Sequence, residues 1–69
     1  MPHEGPAEIH YIRTADGRNV KKGDRVYNYY DCWWGVIAED PDSEGWFRVE
    51  GEGGDYAILN GERISTYRP

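Results

Sequence analysis

The chain has 69 residues, enough for one small domain that buries only about 60 % of the surface its unfolded form exposes. Its single cysteine, Cys32, excludes an internal disulfide, and His3 and His10 beside it do not make a structural zinc set, so support must come from three Trp, six Tyr and one Phe. Thirteen acids against eight bases give a net charge of −5, which argues against a dedicated nucleic-acid binder, and no membrane-length apolar run or signal-peptide pattern is present; the expected setting is the cytoplasm.

Residues 1–6 hold two prolines and a glycine without periodicity and read as a flexible tail ahead of a single domain over 7–69. Glu8 to Arg13 is rich in β-forming residues. Ala15-Asp16-Gly17-Arg18 then supplies an Asp-Gly hairpin turn, whose central residues both tolerate positive φ. Asn19-Val20 is a brief return, and Lys21-Lys22-Gly23-Asp24 is a second polar turn. Arg25 to Tyr30 and Trp33 to Glu39 are strands of aromatic and β-branched residues separated by little more than Asp31-Cys32. Gly35 within the second implies a bulge, a sharp bend or a backbone passing close by.

Asp40 to Gly45 is a turn by composition, Trp46 to Glu50 a strand with Phe47 and Val49 on one face, and Gly51 to Gly54 a tight connection into a further strand, Asp55 to Leu59. Asn60-Gly61 marks either a two-residue hairpin into Glu62–Thr66 or a single helical turn with Ile64 plugging an open end; turn chemistry favours the hairpin. No helix of ordinary length fits. Five to six short antiparallel strands separated by turn signals predict an all-β chain, a small barrel whose closure removes exposed edges.

Val20-Lys21-Lys22-Gly23-Asp24-Arg25-Val26, followed by Gly35-Val36-Ile37, resembles SH3-like barrels of the Tudor and KOW kind. Such domains open on a G-D-x-V strand, continue with a G-x-V-type strand and close on a short strand ending in Leu, a place that Ala57-Ile58-Leu59 would take here. More narrowly, Gly23 to Asp31 with Trp34-Gly35 and Leu59 to Arg63 resembles small uncharacterised proteins of actinobacteria and their phages. That resemblance implies a bacterial cytoplasm and, for a phage protein, a host protein as partner. It implies no activity. The bacterial or phage setting argues against methyl-lysine reading, and the seven acids and one base between Glu39 and Asp55 argue against the basic surface of RNA-binding KOW domains.

The aromatics outnumber what a single small core needs. If Val26 faces inward, Asn28 and Tyr30 share its face while Tyr27 and Tyr29 share the other; if Phe47 and Val49 face the core, Trp46, Arg48 and Glu50 face out. One of Trp33 and Trp34 must also point outward. Tyr27, Tyr29, Trp34 and Trp46 are therefore the expected partner-binding surface, rigid rings of the type enriched in interface hot spots. The bland alternative is a second layer of aromatic packing.

Arg13, Arg18, Lys21, Lys22 and Arg25, with only Asp16 and Asp24 among them, form the alternative candidate, a basic segment that could hold single-stranded nucleic acid beside the rings. A structural homo-oligomer is a third reading. The acids Glu39, Asp40, Asp42, Glu44, Glu50, Glu52 and Asp55 suit a solvated face better than a phosphate mimic. Asp40 to Glu44 lacks the ligand spacing of a calcium loop. Nothing links Cys32 to His10 as nucleophile and base, so a non-enzymatic protein without cofactor or metal is expected.

Overall fold

The computed structural model describes residues 8–68, so the expected tail over 1–6 lies outside the described residues. Seven short strands follow in chain order: β1 (Ile12–Arg13), β2 (Asn19–Val20), β3 (Arg25–Asn28), β4 (Trp33–Ile37), β5 (Phe47–Gly51), β6 (Tyr56–Leu59) and, after a 3₁₀ turn at Gly61–Arg63, β7 (Ile64–Ser65). β1 and β2 make a two-stranded sheet; the other five make an antiparallel sheet in the order β6-β5-β4-β3-β7. The chain is all-β, a curled half-barrel covered by a small hairpin.

Alternation builds the core. Val26, Ile37, Phe47, Val49, Leu59 and Ile64 from the large sheet meet Ile12 and Val20 from the hairpin in one cluster, with Trp33 and Ala57 packed against it. Burying each such large apolar side chain contributes about 1.5–3 kcal/mol. The hairpin is held by more than apolar contact: the Ala15 N–H donates to the Ile64 carbonyl at 2.9 Å, and Asp16 accepts from the Thr66 hydroxyl at 2.5 Å.

Several expectations are corrected. Glu8 to Arg13 contributes strand only at Ile12–Arg13. The Asp-Gly turn is present, but only Gly17 takes positive φ, at 81°; Thr14 and Arg18 close a three-residue loop, so this is a type I turn with a left-handed glycine after it. Gly35 is not a bulge, because its register runs unbroken against Val26 on one side and Gly51 on the other. A Cβ there would stand 2.6 Å from the Glu50 carbonyl oxygen and 2.9 Å from the Trp33 ring, so of the three readings the close neighbour is the right one.

The Asn60-Gly61 hairpin is likewise overturned. Those residues lead into the 3₁₀ turn, Ile64 is fully buried, and β7 pairs with β3 instead of β6. Arg13's carbonyl oxygen occupies the space a Gly61 Cβ would need, so glycine serves close packing here and not a two-residue turn. Ala57–Leu59 therefore lies in the edge strand β6 and is not the last strand. The large sheet does not close by hydrogen bonding: β6 and β7 are its two ends, and the hairpin covers the core between them.

Candidate functional site

The outer face of the large sheet is set by the same alternation that fills the core. Register lays Arg25, Val36, Glu50 and Tyr56 in one row across four strands, with Trp34 opposite Tyr27 and Arg48 opposite Ile58 beside it. Val36, Tyr56 and Ile58 are exposed, and Trp34 is half-buried. The Arg25 guanidinium lies 4.1 Å from the Trp34 ring centre and reaches Glu52 through Nε at 2.5 Å and Nη2 at 3.2 Å. Arg48 repeats the device, stacked 4.1 Å over Tyr56 and bonded to Glu50 at 3.1 Å. Each cation thus rests on a ring while a carboxylate neutralises it. The hydrogen bond from Arg25 holds the Glu52 carboxyl below its ordinary value, and the same bond raises the Arg25 guanidinium.

The four expected rings divide. Trp34 is on this face. Tyr27 points the same way but is buried, only 5 % exposed, because Trp34 stacks edge-on against it at 5.2 Å; the exposed ring expected at this position is instead a covered one that packs against Trp34. Burial pushes the Tyr27 hydroxyl above its usual value, and the neighbouring Cys32 thiol adds to that.

Tyr29 and Trp46 belong to a second group with Tyr30 and Arg63. Tyr29 and Tyr30 meet edge-on at 5.3 Å, and Arg63 lies 4.7 Å from the Tyr30 ring and 5.2 Å from Trp46. The Tyr29 hydroxyl donates to the Glu62 carbonyl, tying this group to the 3₁₀ turn. Beside it, Ala15, Asp16, Tyr29, Ser65 and Tyr67 line an open cavity of about 300 Å³.

Known proteins offer no guide to this surface. The chain matches no family model, and no curated protein or solved structure is significantly similar to it. The site must be read from its own chemistry.

The basic segment is partly spent on internal contacts. Lys21 pairs with Asp24 at 3.2 Å and Arg25 with Glu52, while Arg13, Arg18 and Lys22 are exposed and have no ion pair among the described residues. The acidic loop is built as well as solvated: the Asp42 carboxylate accepts the N–H groups of Trp46 and Glu44, both at 2.9 Å, and those bonds lower its pKa. Cys32 is an exposed free thiol at φ 63°, the one non-glycine residue in left-handed backbone among those described. Among the described residues, no cluster of three His, Cys, Asp or Glu could hold a metal ion and no helix is long and apolar enough to cross a membrane.

Val36, Arg48, Tyr56 and Ile58 escaped the sequence reading as site residues, although Arg48 was expected to face out. The signal was present: a tight turn at Gly51 to Gly54 sets Tyr56 opposite Glu50, and alternation carries Tyr56 and Ile58 to the face of Arg48.

Asp16 gives a test of the hairpin's attachment. Burial raises its pKa, but hydrogen bonds from the Thr14 hydroxyl and from the Thr66 hydroxyl and N–H outweigh that and leave it below 3.8. A carboxylate with a depressed folded pKa adds stability above its unfolded pKa and loses it as pH falls through the folded one. Asp16→Asn is expected to be less stable than the parent near neutrality and to lose less further stability between about pH 5 and pH 2. Urea unfolding followed at several pH values checks this; parallel losses in both proteins would remove Asp16 from the acid response.

Proposed function

We propose that this protein is a small, non-enzymatic binding module that engages a protein partner through the outer face of its large sheet. The observation that carries the reading is the face itself: Trp34 and Val36 on β4 and Tyr56 and Ile58 on β6 share it, with the Arg48–Glu50 pair of β5 between them and Arg25 neutralised by Glu52. Internal neutralisation suits a partner that buries rings and aliphatic groups more than one that presents phosphates. Trp34 is the anchor, held by Tyr27 beneath it and Arg25 across it.

The turn at Gly23-Asp24 leading into Arg25-Val26 at the start of β3, with Gly35 to Ile37 within β4, supports the likeness to SH3-like barrels. If the chain is encoded by a phage, as the narrower resemblance implies, its partner is a host protein in the bacterial cytoplasm. The nucleic-acid reading keeps only Arg13, Arg18 and Lys22 as uncommitted bases, and the net charge of −5 opposes it.

The test is capture from nuclease-treated bacterial lysate, followed by titration of the purified captured protein. Trp34→Ala is expected to weaken that binding by about thirtyfold, the size of an interface hot spot, with little dependence on salt. Capture that disappears with nuclease, or binding that falls steeply with salt and ignores Trp34, would overturn the reading in favour of the basic segment.

A further inference from the structure

The large sheet ends on β6, a four-residue strand that carries no charge or proline of the kind by which edge strands usually avoid further pairing. Tyr56-Ala57-Ile58-Leu59 has no charge, proline or glycine, and its residues suit a strand. The register assigns its free groups. Gly51 donates its N–H to the Asp55 carbonyl at 2.6 Å, so Gly51 and Asp55 form a hydrogen-bonded pair. Alternation along an antiparallel ladder makes Val49–Ala57 and Phe47–Leu59 the next such pairs. The N–H and C=O groups of Tyr56 and Ile58 therefore point away from β5, and no backbone partner meets them among the described residues. The two residues are 61 % and 51 % exposed.

The surroundings say what fits there. Asp55 lies at the start of β6 and Glu62 beyond its end, both without an ion pair among the described residues, while Glu50 and Glu52 are taken by Arg48, which lies over Tyr56, and by Arg25. A second copy is a poor occupant. Antiparallel pairing of two β6 strands through those free groups is centred on Ala57, with Tyr56 opposite the other copy's Ile58, and brings the Glu52-to-Asp55 end of one copy beside the Glu62 end of the other, acid beside acid on a chain of net charge −5. An extended segment with basic ends meets the same groups with complementary charge.

We propose that β6 accepts an extended, basic-flanked segment of a partner protein as an added strand. The main chain of that segment bonds to Tyr56 and Ile58, its apolar side chains lie beside those two residues, and its lysines or arginines face Asp55 and Glu62. This rests on the reading of the molecule as a protein-binding module, and it names a recognition element separate from Trp34.

The probe is a short peptide of alternating valine and threonine with paired lysines at both ends, titrated into the full ¹⁵N-labelled chain. The amides of Tyr56 and Ile58 are expected to exchange at least about tenfold more slowly with peptide bound. A peptide N-methylated along one edge should bind at least about tenfold more weakly, a comparison that needs no protein variant. Ile58→Pro, which removes an outward N–H and spares the ladder to β5, should lose the peptide, while Trp34→Ala should keep it.

Absence of binding at millimolar peptide, or equal binding of the methylated peptide, overturns strand addition. Equal binding of a peptide with glutamates in place of the lysines overturns the basic partner. Protection of the two amides that rises with protein concentration alone assigns the edge to a second copy. Peptide binding that fails in Trp34→Ala but ignores methylation overturns strand addition while upholding the outer face.

Discussion

Gly35→Ala is expected to cost about 3 kcal/mol or more, a large share of the roughly 3–10 kcal/mol available to a chain of this length. The new Cβ would stand 2.6 Å from the Glu50 carbonyl oxygen, 2.9 Å from the Trp33 ring and 3.0 Å from Val49 Cγ1. None of the three can withdraw cheaply. Glu50's carbonyl belongs to β5, Val49 is fully buried, and the Trp33 ring also lies 3.0 Å from where a Gly51 Cβ would be. The Gly35–Gly51 pair is thus a slot across which Trp33 lies. Gly53→Ala is the matched control, because its Cβ meets nothing within 4 Å. Urea unfolding followed by tryptophan fluorescence should separate the two variants by at least about 2 kcal/mol. A Gly35→Ala midpoint equal to that of Gly53→Ala would mean that the sheet opens freely at this point and that the slot carries no strain.

That slot shows where the sequence could be read and where it could not. Gly35 was legible as an anomaly in a strand, but its cause was not, because a bulge, a bend and a close neighbour write the same letter. The strands from Arg25 onward were legible because β-branched and aromatic residues alternate there with few interruptions. The sheet's ends were not. Asn60-Gly61 has hairpin chemistry, and what overrides it is Arg13's carbonyl, some fifty residues earlier in the chain and invisible to any local rule. The site divides in the same way. Alternation correctly sent Tyr27 outward, yet it cannot tell whether a ring is covered, and the register that sets Trp34 opposite it depends on how many residues the intervening turn consumes. That turn ends at Cys32 in left-handed backbone, a conformation that its residue type does not announce.

Asn28 decides the length of that turn, and its removal should have the second large effect. It is fully buried beside Val26, yet it is polar. Its Nδ2 donates to Asp31 Oδ2 at 2.9 Å, its Oδ1 accepts the N–H groups of Tyr30 and Asp31 at 3.1 Å each, and its carbonyl accepts the Cys32 N–H at 2.7 Å. One side chain thus replaces the strand ladder for the residues that carry Tyr29 and Tyr30 into their group with Arg63. Asn28→Ala is expected to cost about 2–4 kcal/mol, combining a cavity with unpaired backbone donors. Asn28→Asp makes a sharper test, because it keeps both acceptor bonds and turns the donated one into two carboxylates facing each other. The two N–H bonds would lower the new carboxyl's pKa, but full burial and the facing Asp31 carboxylate raise it and are expected to win, so the variant's deficit against the parent should shrink as pH falls below that raised pKa and grow as pH rises through it. This is opposite in sign to the response assigned to Asp16. A deficit independent of pH would show that Asp31 swings away into solvent, and the turn would then owe its shape to backbone bonds alone.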